Sequence, residues 1–247
     1  MRFLPLLCAL VALLTSCGKG SSDEPYRVAR DSSWYPLDFM GREMYIFAFS
    51  NDLISDITAR QQVNVELLPS TWDELAYGLE HKVYDGILTS IEPTVENAAL
   101  YAFSDPYLLV GNVVIGRMGE TQRTLADFGG KTLGILTGSP AVVEIGKHPT
   151  ILVRYYENPA LALSDLSKQL IDGVVLGLIP ASTFCADVYS GVLRVATPPF
   201  TPEALRLIVR QDDPREADLL AQFNKGLNAA RASGRYKAFL NKWELHQ

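Results

Sequence analysis

From residue 26 onward, short apolar runs bounded by polar turns alternate with longer stretches whose apolar positions recur every three or four residues. YRVAR (26–30), VNVELL (63–68), YDGIL (84–88), TLGIL (132–136), ILVRYY (151–156), GVVLG (173–177) and VLRVA (192–196) have the length and residue types of strands. SNDLISDITARQQ (50–62) gathers Leu53, Ile54 and Ile57 on one helical face. TWDELAYGLEHK (71–82) places Thr71 three residues before Glu74, the spacing of a capping box. NPALALSDLSKQL (158–170) opens with Asn-Pro, a capping residue followed by Pro at the first helical position. The longest helical pattern, PREADLLAQFNKGLNAARAS (214–233), starts at Pro214. This alternation predicts an α/β protein with largely parallel sheets. YLLVGNVVIGR (107–117) breaks it. The stretch fits one buried strand, or a crossing between two sheets with Gly111 easing the bend.

The N-terminus follows a different pattern. Arg2 precedes an apolar run from Phe3 to Leu14 that is too short for a comfortable membrane span of about 20 residues but has the proportions of a secretory signal. Leu14-Thr15-Ser16-Cys17 resembles a bacterial lipobox. The resemblance implies a signal peptide over 1–16, cleavage before Cys17, and lipid on the Cys17 thiol and new amino group. An ordinary secretory signal with an incidental Cys is the alternative. GKGSSDEP (18–25) continues from Cys17 as a tether over 17–25. Removal of 1–16 takes away Arg2 alone among charged residues, leaving 21 basic against 28 acidic and a net charge of −7. That balance argues against nucleic acid and against electrostatic binding to an anionic membrane. The expected location is periplasmic or cell-surface, anchored by the N-terminal lipid. Cys185 then remains without an internal disulfide partner. Its setting, PASTFCADVY, suits a buried small hydrophobe better than a reactive thiol. His81, His148 and His246 have no ligand spacing, so no metal is expected.

TWDELAYGLEHKVYDGIL, AFSDPY, TLADFGGKTLGILTGS, RQDDP and AARASGRYKAFLNKW occur in this order along the chain. Each is weak alone and the ordered set is specific. The chain resembles the polar amino-acid-binding group of periplasmic solute-binding proteins, bacterial extracellular solute-binding proteins family 3, the receptors of ABC importers. The resemblance implies an α/β, two-lobed periplasmic binding protein fold (type II) over 26–247 with two crossover hinge strands. Lobe one would hold about 26–111 and 195–247, and lobe two about 112–194. YLLVGNVV would be the first crossing and VLRVATPP the return. It further implies a monomer without cofactor or catalysis, which closes on a small polar solute and docks on an ABC permease.

In open α/β sheets ligands sit beyond the carboxyl ends of strands. Asp31-Ser32-Ser33, Thr89-Ser90, Thr137-Gly138-Ser139 and Leu176-Gly177 are such ends, with ordinary turn chemistry as the plain alternative. The resemblance also implies an Arg for a ligand α-carboxylate and an Asp for an α-amino group. Asn97 stands at the position of the first and Gly177 at that of the second. Glu92 replaces the usual Ser or Thr, with a solvated turn residue before Pro93 as its plain reading, and Pro140 and Ala141 replace Thr and a polar residue. Asp31 and Trp34 match as acid and ring. Candidate ligand-binding residues are therefore Asp31, Trp34, Thr89, Ser90, Glu92, Asn97, Gly138, Ser139 and Gly177. A bidentate Arg–carboxylate pair is roughly twice as strong as a neutral hydrogen bond, so its loss points away from a standard zwitterion in the usual pose. Asp31, Glu92 and Trp34 favour a cationic or amide-rich solute. Two alternatives stand beside transport. One is a sensor or surface lipoprotein of the same fold. The other is a cyclohexadienyl-dehydratase-like enzyme with Glu92 as general acid.

Overall fold

The computed structural model describes residues 24–245. The expected signal segment, Cys8, Cys17, most of the tether and His246 lie outside the described residues. In chain order the first part is β1 (Tyr26–Asp31), α1 (Glu43–Gln61), β2 (Val65–Ser70), α2 (Trp72–Glu80), β3 (Gly86–Thr89), α3 (Val95–Leu100), β4 (Tyr101–Phe103) and β5 (Leu108–Leu109). The middle part is β6 (Asn112–Arg117), a 3-10 turn at Leu125–Phe128, β7 (Thr132–Leu136), α4 (Val142–Ile145), β8 (Leu152–Tyr156), α5 (Pro159–Ser167), β9 (Gly173–Gly177), α6 (Leu178–Ala186) and β10 (Leu193–Val195). The chain ends with β11 (Ala204–Arg210), α7 (Pro214–Ala232) and α8 (Arg235–Lys242).

Two sheets result. One has the order β2-β1-β3-β11-β4, with β5 also paired to β11, and the other the order β10-β6-β9-β7-β8. β1 is parallel to β2 and β3, and β7 is parallel to β8 and β9. β11, β6 and β10 run antiparallel to their neighbours. The sheets are thus mixed rather than largely parallel. The antiparallel pairings belong to the strands that flank the two passages of the chain between sheets. These passages are residues 110–111 outward and 196–203 back, so 107–117 is a crossing and not one continuous strand.

Each sheet has apolar clusters of its own. Ile46, Phe49, Leu53 and Ile57 of α1 and Leu219, Phe223 and Leu227 of α7 pack on Leu205, Leu207 and Val209 of β11. Leu75 and Leu79 of α2 cover Ala29, Ile87 and Ile208 on the opposite face. The second sheet is covered by Leu163 and Leu166 of α5 on one side and by Phe128 and Ile145 on the other. Burial of each such side chain contributes about 1.5–3 kcal/mol. The buried positions 46, 49, 50, 53, 54 and 57 show that α1 extends the 50–62 pattern upstream by two turns. The Asn158 side chain accepts from the Leu161 N–H at 3.0 Å, with Pro159 at the first turn of α5 as expected. Thr71, by contrast, makes no side-chain cap. Its carbonyl accepts from Glu74 N–H instead, and the capping box that does form joins Thr124 and Asp127. At the C-terminal end, Asp52 of α1 accepts from Lys242 Nζ at 2.6 Å and Trp243 Nε1 at 2.8 Å, which ties α8 to the first sheet.

Candidate functional site

The carboxyl ends of β7 and β9 and the turn after β1 meet at a cleft of about 290 Å³. Three parts of the chain build its walls. The turn after β1 contributes Pro36–Met40, the loop after β7 contributes Thr137–Pro140, and β9 contributes Val175–Gly177 with Pro180 beyond. Val110 and Glu203 come from the two crossings, and Asn112 is the first residue of β6. Gly138 has φ +80, a left-handed conformation that suits glycine and lets the loop fold back after β7. The Ser139 hydroxyl accepts from Ala141 N–H at 3.4 Å. Gly177 caps α6 without any side-chain cap, so backbone is presented there.

The crossings are locked to each other beside Gly177. Thr201 Oγ1 accepts from the Asn112 N–H at 2.6 Å and from Asn112 Nδ2 at 3.2 Å. Val110 N–H donates to the Glu203 carbonyl at 3.1 Å, and Leu178 N–H donates to the Gly111 carbonyl at 3.0 Å. A Cβ on Gly111 would stand 2.2 Å from the Thr201 carbonyl oxygen, so no larger residue fits the contact as it stands.

Of the sequence-derived candidates, Gly138, Ser139 and Gly177 meet in this cleft. The others stand outside its walls. Asp31 is turned onto its own loop, its carboxylate accepting from the Ser33 N–H at 3.1 Å and from the Ser33 hydroxyl. Trp34 is 2% exposed, packs in the first-sheet core and donates Nε1–H to the Glu43 carbonyl at 3.3 Å. Thr89 is buried and its hydroxyl accepts from Ile91 N–H, while Ser90 is half-buried beside it. Asn97 donates Nδ2–H to the Glu92 carbonyl at 2.8 Å, which braces the turn into α3. Burial pushes the Glu92 carboxyl up, and the negative charge of Glu203 adds to this against the opposing Arg206. Arg206 lies opposite Thr89 in the β3–β11 register, and burial lowers its pKa despite Asp105 and Glu92 nearby.

Sequence reasoning missed Asp38 and Glu203, the ionisable side chains of the cleft wall. The signal for Glu203 was its place between Pro202 and the first residues of β11, at the end of the return crossing. It also missed Tyr35, which is 58% exposed and meets Trp72 edge-on with ring centroids 5.6 Å apart. Cys185 is half-buried, and burial pushes its thiol up to about 11, which keeps it protonated at neutral pH.

Two sheets, each with apolar clusters of its own and joined by two crossings beside a cleft, define a two-lobed binding protein of the periplasmic type. The chain belongs to the bacterial extracellular solute-binding proteins, family 3, whose model matches residues 26–246. It is 27% identical over 239 residues to the ABC transporter arginine-binding protein 1 of Escherichia coli K12, covering 95% of this chain and 97% of that protein. It is also 27% identical over 248 residues to the lysine/arginine/ornithine-binding periplasmic protein of the same organism, covering 96% and 94%. Among solved structures, the unliganded open L-cystine solute receptor of Neisseria gonorrhoeae superposes with a TM-score of 0.69 at 16% identity, covering 89% of this chain and 92% of that one. The family is one of solute binding and not of catalysis, and the dehydratase-like alternative resting on Glu92 falls away with it.

Proposed function

We propose that this chain is the solute-capturing lipoprotein of an ABC importer, and that its solute is small, amino-acid-like and positively charged. The observation that carries the charge is the cleft wall, whose ionisable side chains, Asp38 and Glu203, are both acidic. A cleft lined by one sign of charge concentrates ions of the other sign. Phe39, Met40, Val110, Leu136, Val175 and Leu176 supply apolar walls for an aliphatic stem. Asn112, Thr137 and Ser139 supply polar groups for the other end of the molecule. Relatives named for arginine, and for lysine, arginine and ornithine, agree with such a solute. Lipid attachment at Cys17, a periplasmic or cell-surface location, the permease partner and the monomeric state complete the proposal. Asn97 and Gly177, which lack the charges that the family resemblance implies, favour a second reading as a sensor or surface lipoprotein of the same fold.

Thermal denaturation with L-arginine, L-lysine, L-ornithine, L-glutamine and L-glutamate separates these readings. At a hundredfold excess over Kd a ligand stabilises by about 2.7 kcal/mol, and each kcal/mol moves Tm by about 2–4 °C for a chain of this size. A cationic member is expected to raise Tm by several degrees and L-glutamate to leave it unchanged. A larger shift with L-glutamate overturns the charge assignment. No shift with any of the five favours the sensor or surface reading.

A further inference from the structure

We propose that Glu203 is the carboxylate that grips the cationic group, ammonium or guanidinium, of the captured solute. The inference rests on the cleft reading above and names the residue that carries its charge selectivity. Three observations support it. Glu203 lines the cleft. Its Oε2 is buried and has no hydrogen-bond partner among the described residues. Its backbone is fixed at the junction of the crossings, because its carbonyl accepts from Val110 N–H at 3.1 Å and the Val110 carbonyl lies 3.5 Å from where a Cβ on Gly177 would be. The acid therefore stands next to the bare backbone at the end of β9, brought there by the return crossing and not by β9 itself.

A carboxylate oxygen that is shielded from water and left unpaired is costly, and each one calls for an explanation. Glu92 makes the cost greater, since its carboxyl lies within electrostatic reach of Glu203. Arg206 is within electrostatic reach of Glu92 and Asp105, and among the described residues Glu203 Oε2 has no hydrogen bond from it. Asp38, the other acid of the wall, is exposed and its carboxylate already accepts from the Met40 N–H at 2.8 Å. Glu203 is the acid of the cleft wall whose buried Oε2 has no hydrogen-bond partner among the described residues, and a cation arriving there restores the missing hydrogen bond and offsets the repulsion from Glu92. The fixed crossing keeps that acceptor in place before the solute arrives, which lowers the ordering cost of binding.

The test is calorimetric titration of the full chain and of Glu203→Gln with L-arginine and with L-citrulline, which has the same shape without the side-chain charge. Glu203→Gln is expected to bind L-arginine roughly 10- to 100-fold more weakly, the range for loss of a charge-assisted hydrogen bond. Its Tm without solute is expected to stay level or rise, because the unpaired charge is gone. A merely structural Glu203 would instead lower that Tm. An equal loss for both solutes puts the α-ammonium on Glu203, and a loss for L-arginine alone puts the guanidinium there. Both outcomes support the assignment. Unchanged L-arginine affinity in Glu203→Gln overturns it and leaves the cleft reading standing. Failure of the unaltered chain to bind any solute of the panel overturns the cleft reading and the assignment with it. Glu203→Ala, which only widens the cleft, gives the same comparison if the Gln variant does not fold.

Discussion

Glu92 sits at the turn beyond β3, half-buried, with Glu203 raising its pKa and Arg206 opposing that shift. An acid whose folded pKa lies above its unfolded value binds its proton more tightly in the folded state. Its ionised form therefore costs stability at neutral pH, and the cost disappears as pH falls through the folded value. Glu92→Gln is accordingly expected to raise stability at pH 7, because it removes a half-buried charge that burial and Glu203 disfavour. The gain should vanish near pH 4. Urea midpoints at the two pH values check this, and a loss of stability at pH 7 would show that Arg206 outweighs both burial and Glu203. The cleft wall was legible only in part. Gly138, Ser139 and Gly177 could be found because small residues closing an apolar run mark the end of a strand wherever it lies. Trp34 could not be assigned from its type. Its φ of +58 and the bond from its indole N–H to the Glu43 carbonyl accompany a ring buried in the core, and the next residue, Tyr35, holds the exposed ring. Glu203 acquires its place only when a chain segment far along the sequence returns beside Val110 and Gly177, a proximity that no local pattern contains.

At the scale of elements, the two crossings decide the architecture. Gly111 lets them approach, since even a methyl group there would meet the Thr201 carbonyl oxygen at 2.2 Å. Gly111→Ala is expected to force the crossings apart and cost about 1–3 kcal/mol, the usual range for an overpacked buried site. A denaturant titration measures it, and a change below about 0.5 kcal/mol, typical of surface substitutions, would mean that the crossings slide freely. The suspicion about Gly111 was available from YLLVGNVVIGR alone, because glycine inside a long apolar run marks a bend or a close approach. β11 was not identified, because ALRLIVR is neither a clean alternation nor an uninterrupted apolar run. Leu205, Leu207 and Val209 face one core and Ile208 the other, while Arg206 and Arg210 interrupt the apolar run that signals a buried strand. Arg210 is accommodated by donating to the Tyr84 carbonyl at 3.0 Å and pairing with the buried Glu216 of α7. That tertiary compensation has no counterpart in the sequence pattern. The Thr71 capping box fails for a related reason. Backbone N–H to carbonyl bonds from Glu74 and Leu75 to Thr71 start α2 without the side chain.

For the whole molecule, charge and anchoring have to be weighed together. The chain carries 28 acidic against 22 basic residues and a formal charge of −6, which repels it from anionic lipid. Among the described residues no helix is long and apolar enough to cross a membrane. Attachment to a membrane after signal removal then falls to the lipid proposed at Cys17. A single acyl chain gives only marginal binding, and stable anchoring takes a second chain or a polybasic patch; the acidic chain offers no such charge excess, and acylation of both the thiol and the new amino group would supply the second chain. Cys17→Ala is therefore expected to move the protein from the membrane fraction of the producing cells to the soluble fraction or, with cleavage blocked, to leave it held by the uncleaved apolar segment. The two outcomes differ in mass at the N-terminus. The unaltered protein should resist a high-salt wash, which removes electrostatically bound proteins, and come free with detergent. Release by salt alone, or an N-terminal peptide lacking acyl groups in the unaltered protein, would overturn the anchor. The receptor would then diffuse freely to its permease, and its capture of solute would depend on its own concentration as well as on the affinity set in the cleft.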